Sequence, residues 1–120
     1  MATNTVTTSW KKNGILESDN PSGNSLIMYD ASEDYGDLVG FGPKALMLSS
    51  LAGCSGLDVD SLLKKMRAEP EDFKIIVTAE LTEEHPKYYH KVHVAYHFYG
   101  TDLKADKITK ALNLSVDTYC

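Results

Sequence analysis

The chain has 120 residues, 42% of them hydrophobic and 24% charged, with a formal net charge of -5. That length suits a single domain spanning residues 1–120 and built around one core, and the acidic balance gives no general attraction to phosphate backbones or anionic lipid. Neither nucleic acid nor a membrane surface is therefore an expected partner. No run reaches the roughly 18 consecutive apolar residues of a bilayer span, and the opening MATNTVTTSW lacks the basic and apolar regions of a signal peptide. The expected compartment is the cytoplasm. There two cysteines, Cys54 and Cys120, suit redox or nucleophilic chemistry better than a disulfide framework. An inert buried thiol is the plain alternative.

In chain order, TNTVTTSWKKNGILES carries β-branched residues, Trp10 and a turn at Asn13-Gly14, which predicts two strands in a hairpin. DNPSGN (19–24) is a turn signal, and SLIMYD (25–30) follows as a third strand. A polar, Gly-rich connection leads to Gly42-Pro43, a helix entry, because proline is pre-organised for the first helical position. From Ala45 to about Arg67 apolar residues fall on every side, which predicts a helix buried all round. Its middle is small: Ser49, Ser50, Ala52, Gly53, Ser55 and Gly56 surround Cys54. Two helical glycines cost about 1 kcal/mol each relative to alanine, so close packing or access to the thiol must repay them. Lys64, Lys65 and Arg67 suit the negative end of the helix dipole, and Pro70 marks the stop. FKIIVTAELT (73–82) and HKVHVAYHFYG (90–100) read as a second hairpin with Val92, Val94, Tyr96 and Phe98 on one face, and LKADKITKALNL (103–114) as an amphipathic helix. The order βββ-α-ββ-α predicts an α+β fold rather than a doubly wound parallel sheet.

Few residues are arranged for chemistry. His93 and His97 share a strand face but lie about 13 Å apart, too far for one zinc whose ligands sit at about 2.0 Å. His90 points to the opposite face, and with His85 these read as half-exposed strand and turn histidines unless a dimer completes a site. No metal or other cofactor is expected. GFGPKA lacks both a third glycine at the dinucleotide spacing and the P-loop lysine-serine pair. Asp58 and Asp60 are too close in sequence to face each other on a helix. Asp58, four residues after Cys54, could share its face, where a carboxylate opposes the thiolate; solvation or a hydrogen bond is the plainer role. What remains is the pair of thiols, one to attack an oxidant and one to resolve the sulfenic acid as a disulfide.

GPKALMLSSLAGCSGLDVDSLLKKMR closely resembles the central helix of OsmC-like proteins, and KALNLSVDTYC resembles the segment of that family that carries its second cysteine. The resemblance runs in the same order over nearly the whole chain. It implies an intertwined homodimer with each active site at the subunit interface, and thiol-dependent reduction of organic hydroperoxides or hydrogen peroxide in oxidative-stress defence. Cys54 takes the position of the attacking thiol and Cys120 that of the resolving thiol, recycled by an unidentified dithiol reductant. The small residues would let Cys54 sit in a dry pocket between packed subunits.

Two departures stand out. The family's peroxidases use an arginine from the N-terminal region to activate the thiol, held by a glutamate near the start of the central helix. Here the single arginine is Arg67, thirteen residues past Cys54 and about 20 Å along the helix; Lys44 stands at the glutamate position. Lys44 is expected either to pair with an acidic residue of the N-terminal sheet such as Glu17 or to turn toward Cys54 of either subunit. The family continues into a further helix beyond the position of Cys120, so the chain is either naturally short or shortened. The alternative to a peroxidase is a noncatalytic or slow OsmC-like homodimer that binds a small apolar ligand at the interface pocket, with Cys54 as a small hydrophobe.

Overall fold

The computed structural model describes residues 3–29 and 40–116. The end of the third predicted strand, most of the polar connection after it, and Cys120 lie outside the described residues. The elements follow the predicted order: β1 (Thr7–Trp10), β2 (Ile15–Asp19), β3 (Ser25–Tyr29), α1 (Pro43–Lys65), β4 (Asp72–Leu81), β5 (Tyr89–Tyr99) and α2 (Ala105–Leu114). Two compact units divide at Met47/Leu48, and each is described by itself.

In the first unit, β1, β2 and β3 form an antiparallel sheet in that order, with Thr8 opposite Ser18 and Ser18 opposite Leu26. The Thr8 and Ser18 hydroxyls hydrogen-bond across the first pair at 2.8 Å. The predicted turn at Asn13-Gly14 is a longer loop in which Lys12, Asn13 and Gly14 all have positive φ, closed by the Ile15 N–H donating to the Lys12 carbonyl at 3.0 Å. Asparagine and glycine tolerate that region well; lysine does so at a cost. The second turn is built by Asn20, whose Oδ1 accepts the Asn24 N–H at 3.0 Å, and by Gly23 at φ +88. The segment entering α1 is strapped to β3: the Tyr29 N–H donates to the Phe41 carbonyl and the Phe41 N–H to that of Ile27. Gly40 is required there, because a Cβ would overlap the backbone carbonyl of Ile27.

The second unit has its own core. β4 and β5 pair antiparallel, with Phe73 opposite Phe98, Ile75 opposite Tyr96 and Val77 opposite Val94, so one face of the ribbon is continuously apolar. Phe73, Tyr96 and Phe98 form a ring cluster with centroids 5.5 to 6.3 Å apart. The fully buried centre is Val59 and Leu63 of α1, Ala68, and Ile108 and Ala111 of α2, with Tyr96, Phe98 and Leu112 packed against it. Gly56 permits the approach of α1 to β4: a Cβ there would come within 2.7 Å of Ile75 Cδ1.

α1 ends in a Schellman-type turn. The Ala68 N–H reaches back to the Leu63 carbonyl and the Arg67 N–H to that of Lys64. Arg67, at φ 55, occupies the left-handed position that glycine usually fills. Lys107 of α2 donates its ammonium to the Met66 carbonyl at 3.1 Å, placing positive charge where the helix dipole favours it.

The expectation that α1 is buried all round is not met within the single chain. Its buried residues are Ser55, Gly56, Val59 and Leu63, while Met47 is 63% and Leu57 71% exposed. By length and composition α1 is also apolar enough to cross a membrane, although Ser, Gly and Asp interrupt every long apolar run. The core helix of a globular domain passes the same test, and Val59 and Leu63 are seated in such a core.

The two leucines on opposite faces should separate in a urea titration. Leu63→Ala should cost about 2–5 kcal/mol through its cavity, and Leu57→Ala less than about 0.5 kcal/mol. A large loss at Leu57 that grows with protein concentration would mean that the outer face of α1 is packed in solution.

Candidate functional site

Successive residues of an α-helix are turned by about 100°, so the tie that buries Ser55 turns Cys54 away from it. Cys54 is exposed, on the flank of α1 that the core does not use. Among the described residues, Gly53 before it would meet nothing within 4 Å if it carried a Cβ. One turn further along, Asp58 shares the flank of Cys54, and its Oδ2 is buried without a hydrogen-bond partner in the described structure. A buried carboxylate oxygen left unmatched is costly and is an open acceptor beside the thiol's turn of helix. The sequence spacing placed Asp58 near Cys54 but gave no sign of that burial.

On the inward side, two hydroxyls meet at Ser55 and a third is tied to its backbone. Ser55 Oγ and the Tyr96 phenol are 2.5 Å apart, and Ser115 Oγ donates to the Ser55 carbonyl at 3.2 Å. Ser55 is 7% and Ser115 1% exposed. Sequence reading missed this cluster because its members lie 41 and 60 residues apart. The available signal was a tyrosine on the otherwise apolar face of β5 and a serine on each facing helix.

The other predicted residues are dispersed. Lys44 lies in the first turn of α1, exposed, and makes no ion pair with Glu17, so that pairing is corrected within one chain; among the described residues the ion pair is Lys104–Asp102 at 3.1 Å. Ten residues of helix carry Cys54 about 15 Å beyond Lys44, out of reach of its side chain. Arg67 sits past the far end of α1, in the left-handed cap. Asp60 and the histidines His85, His90, His93 and His97 are exposed, and among the described residues no three His, Cys, Asp or Glu side chains gather as metal ligands would.

Together these features define an α+β protein whose long helix buries one face in a core and displays a thiol on the other. The family model for OsmC-like protein matches residues 34–120, and the chain belongs to that family. It is similar to Protein YhfA of Escherichia coli K12, 29% identical over 111 residues that span 92% of this chain and 80% of the relative. Among solved structures it is similar to a hypothetical protein from Aquifex aeolicus VF5, 28% identical at a TM-score of 0.85, covering 100% of this chain and 83% of that one. It also shares the fold of the organic hydroperoxide resistance protein OhrB of Bacillus subtilis, 17% identical at a TM-score of 0.63, with 98% and 86% covered.

Asp58→Asn removes a negative charge one helical turn from the thiol while keeping the side chain's size. The substitution should speed iodoacetamide alkylation of Cys54 at fixed pH, because a carboxylate on the same flank repels both the thiolate and the charge that develops on sulfur as it reacts. An unchanged rate would show that the carboxylate does not act on the thiol.

Proposed function

We propose that the chain is a thiol-dependent hydroperoxide reductase that works as a cytoplasmic homodimer, with Cys54 as the attacking thiol and Cys120 as the resolving thiol. The observation that carries this reading is the exposed thiol of Cys54 on the outward flank of the family's central helix. The Cys54 thiolate attacks the terminal oxygen of the hydroperoxide. The S–O bond forms as the O–O bond breaks, and the departing alkoxide takes a proton to leave as an alcohol. Cys120 then attacks the sulfenic sulfur, releasing water and forming a disulfide. An external dithiol returns both thiols by exchange. The electrons all come from thiols, so the cycle as written calls on no metal or prosthetic group.

Organic hydroperoxides are the first substrates to try, because resistance to them names the Bacillus subtilis neighbour. The homodimer is supported by the unused face of α1, where Leu57 is 71% exposed beside Gly53 and Cys54. A helix with apolar residues on that side is expected to bury them against another surface. The activating arginine and glutamate of the family's peroxidases have no counterpart at matching positions, so this chain should react more slowly than a protein carrying them.

Stopped-flow consumption of cumene hydroperoxide by the reduced protein tests the reading. The expected result is loss of peroxide far faster than with a free thiol, abolished in Cys54→Ser, and a single turnover ending in a sulfenic acid in Cys120→Ser. Equal rates for the parent and Cys54→Ser proteins would overturn it.

A further inference from the structure

The loop that joins β1 to β2 carries Asn13 followed by Gly14, in a run of three residues with positive φ: 68° at Lys12, 54° at Asn13 and 73° at Gly14. It is closed by the Lys11 N–H on the Ile15 carbonyl at 2.9 Å and the Ile15 N–H on the Lys12 carbonyl at 3.0 Å. The Gly14 N–H makes no hydrogen bond among the described residues. Lys11, Lys12 and Asn13 are exposed, so the loop can change shape without disturbing a core.

An asparagine side chain is open to attack by the backbone nitrogen of the next residue, one reason asparagine is thermolabile. The attacking nitrogen must carry a proton it can lose, stand outside a hydrogen-bond ladder and be unshielded by its own side chain. The five asparagines of the chain meet these conditions unequally. Asn20 precedes Pro21, whose nitrogen has no proton, and its Oδ1 accepts the Asn24 N–H. Asn113 lies in α2, where the Leu114 N–H belongs to the helical ladder. Asn4 precedes the β-branched Thr5, and Asn24 precedes Ser25, which pairs with Asp19 at the start of β3. Only Asn13 is followed by glycine. The exposed ammonium groups of Lys11 and Lys12 also flank the anion that the Gly14 nitrogen becomes on losing its proton.

We propose that Asn13 is a site of spontaneous deamidation in the folded protein, with water as the only co-reactant. The Gly14 nitrogen gives up its proton and bonds to Asn13 Cγ. The bond from Cγ to the side-chain nitrogen breaks, and ammonia leaves with that proton, closing a five-membered succinimide. Water then opens the ring. Cleavage at Cγ gives aspartate, and cleavage at the backbone carbonyl gives isoaspartate, with the chain rerouted through the side chain. Each event adds one negative charge to a net of -5. Aspartate tolerates the left-handed region much as asparagine does, so that product keeps the loop. Isoaspartate adds one backbone carbon, which lengthens both hydrogen-bonded rings of the loop and loosens the Trp10–Leu16 pair beyond them. The proposal does not rest on the peroxidase reading, since no thiol takes part.

The test is incubation of the reduced chain in warm, mildly alkaline buffer for several weeks, folded and, in parallel, unfolded in guanidinium chloride, followed by peptide mapping. The expected result is a gain of about 1 Da, the exchange of NH2 for OH, in the peptide that carries Asn13. Chromatography should divide that peptide into an aspartate and an isoaspartate form. The folded chain should be modified at Asn13 within about tenfold of the unfolded rate, as befits a loop that opens locally at little cost. Each of the other four asparagines of the folded chain should change at least about tenfold more slowly than Asn13. The rate should rise with pH, because the attacking nitrogen must lose its proton. Asn13→Gln, whose longer side chain would have to close a six-membered ring, should keep its mass under the same conditions. The proposal is overturned if folding protects Asn13 by more than about tenfold, or if another asparagine is modified first in the folded chain. A rate indifferent to pH, or the same gain of mass in the Asn13→Gln chain, overturns it equally.

Discussion

The seating of α1 on the β4–β5 ribbon is the contact on which the second unit depends. Val59 and Leu63 are lost entirely from solvent against Tyr96, Phe98 and the Ile108–Ala111 face of α2, and each such side chain contributes about 1.5–3 kcal/mol on burial. That contact fixes the rotation of the helix about its own axis. With Val59 and Leu63 inward, helical geometry leaves Cys54 and Leu57 on the outer flank, whatever the local propensities of the residues between. The position of the thiol is thus a consequence of core packing several residues away.

The helix middle is small for more than one reason. Gly56 is spaced by Ile75 of the adjacent strand, a contact inside the chain. Gly53 has no such neighbour among the described residues, so its helix-breaking cost of about 1 kcal/mol is not repaid by any of them. The two glycines look alike in the sequence and have separate physical accounts. Polar groups divide in the same way: Ser55 is turned inward and satisfied by Tyr96, whereas Asp58 keeps one buried oxygen unmatched among the described residues.

Much of the fold was legible from local signals. Pro43 opens α1 where a proline should, the Asn20–Asn24 turn uses the residues that turns use, and the alternation from Phe73 to Ala79 and from Val92 to Phe98 gives the apolar face of the ribbon. The family resemblance rested on the helix around Cys54 together with the later KALNLSVDTYC segment, and extended correctly to the order of the elements. Hidden from the sequence was whatever depends on rotation or long separation. A helix with apolar residues all round does not say which face the core will take, and so the exposure of Cys54 could not be read from it. Ser55, Tyr96 and Ser115 come together only through the packing of three elements, and Arg67 in a left-handed cap was indistinguishable from an ordinary basic residue of a last helical turn.

The proposed function turns on Cys54, displayed on the outer flank of α1, as the attacking thiol and on Cys120 as the resolving one. Its most direct test is intact-mass and peptide mapping of the reduced protein after one equivalent of hydroperoxide per chain. The account predicts a loss of two hydrogens per chain and a peptide joining Cys54 to Cys120. Recovery of both cysteines as unmodified thiols, under conditions that oxidise a free thiol, would contradict it.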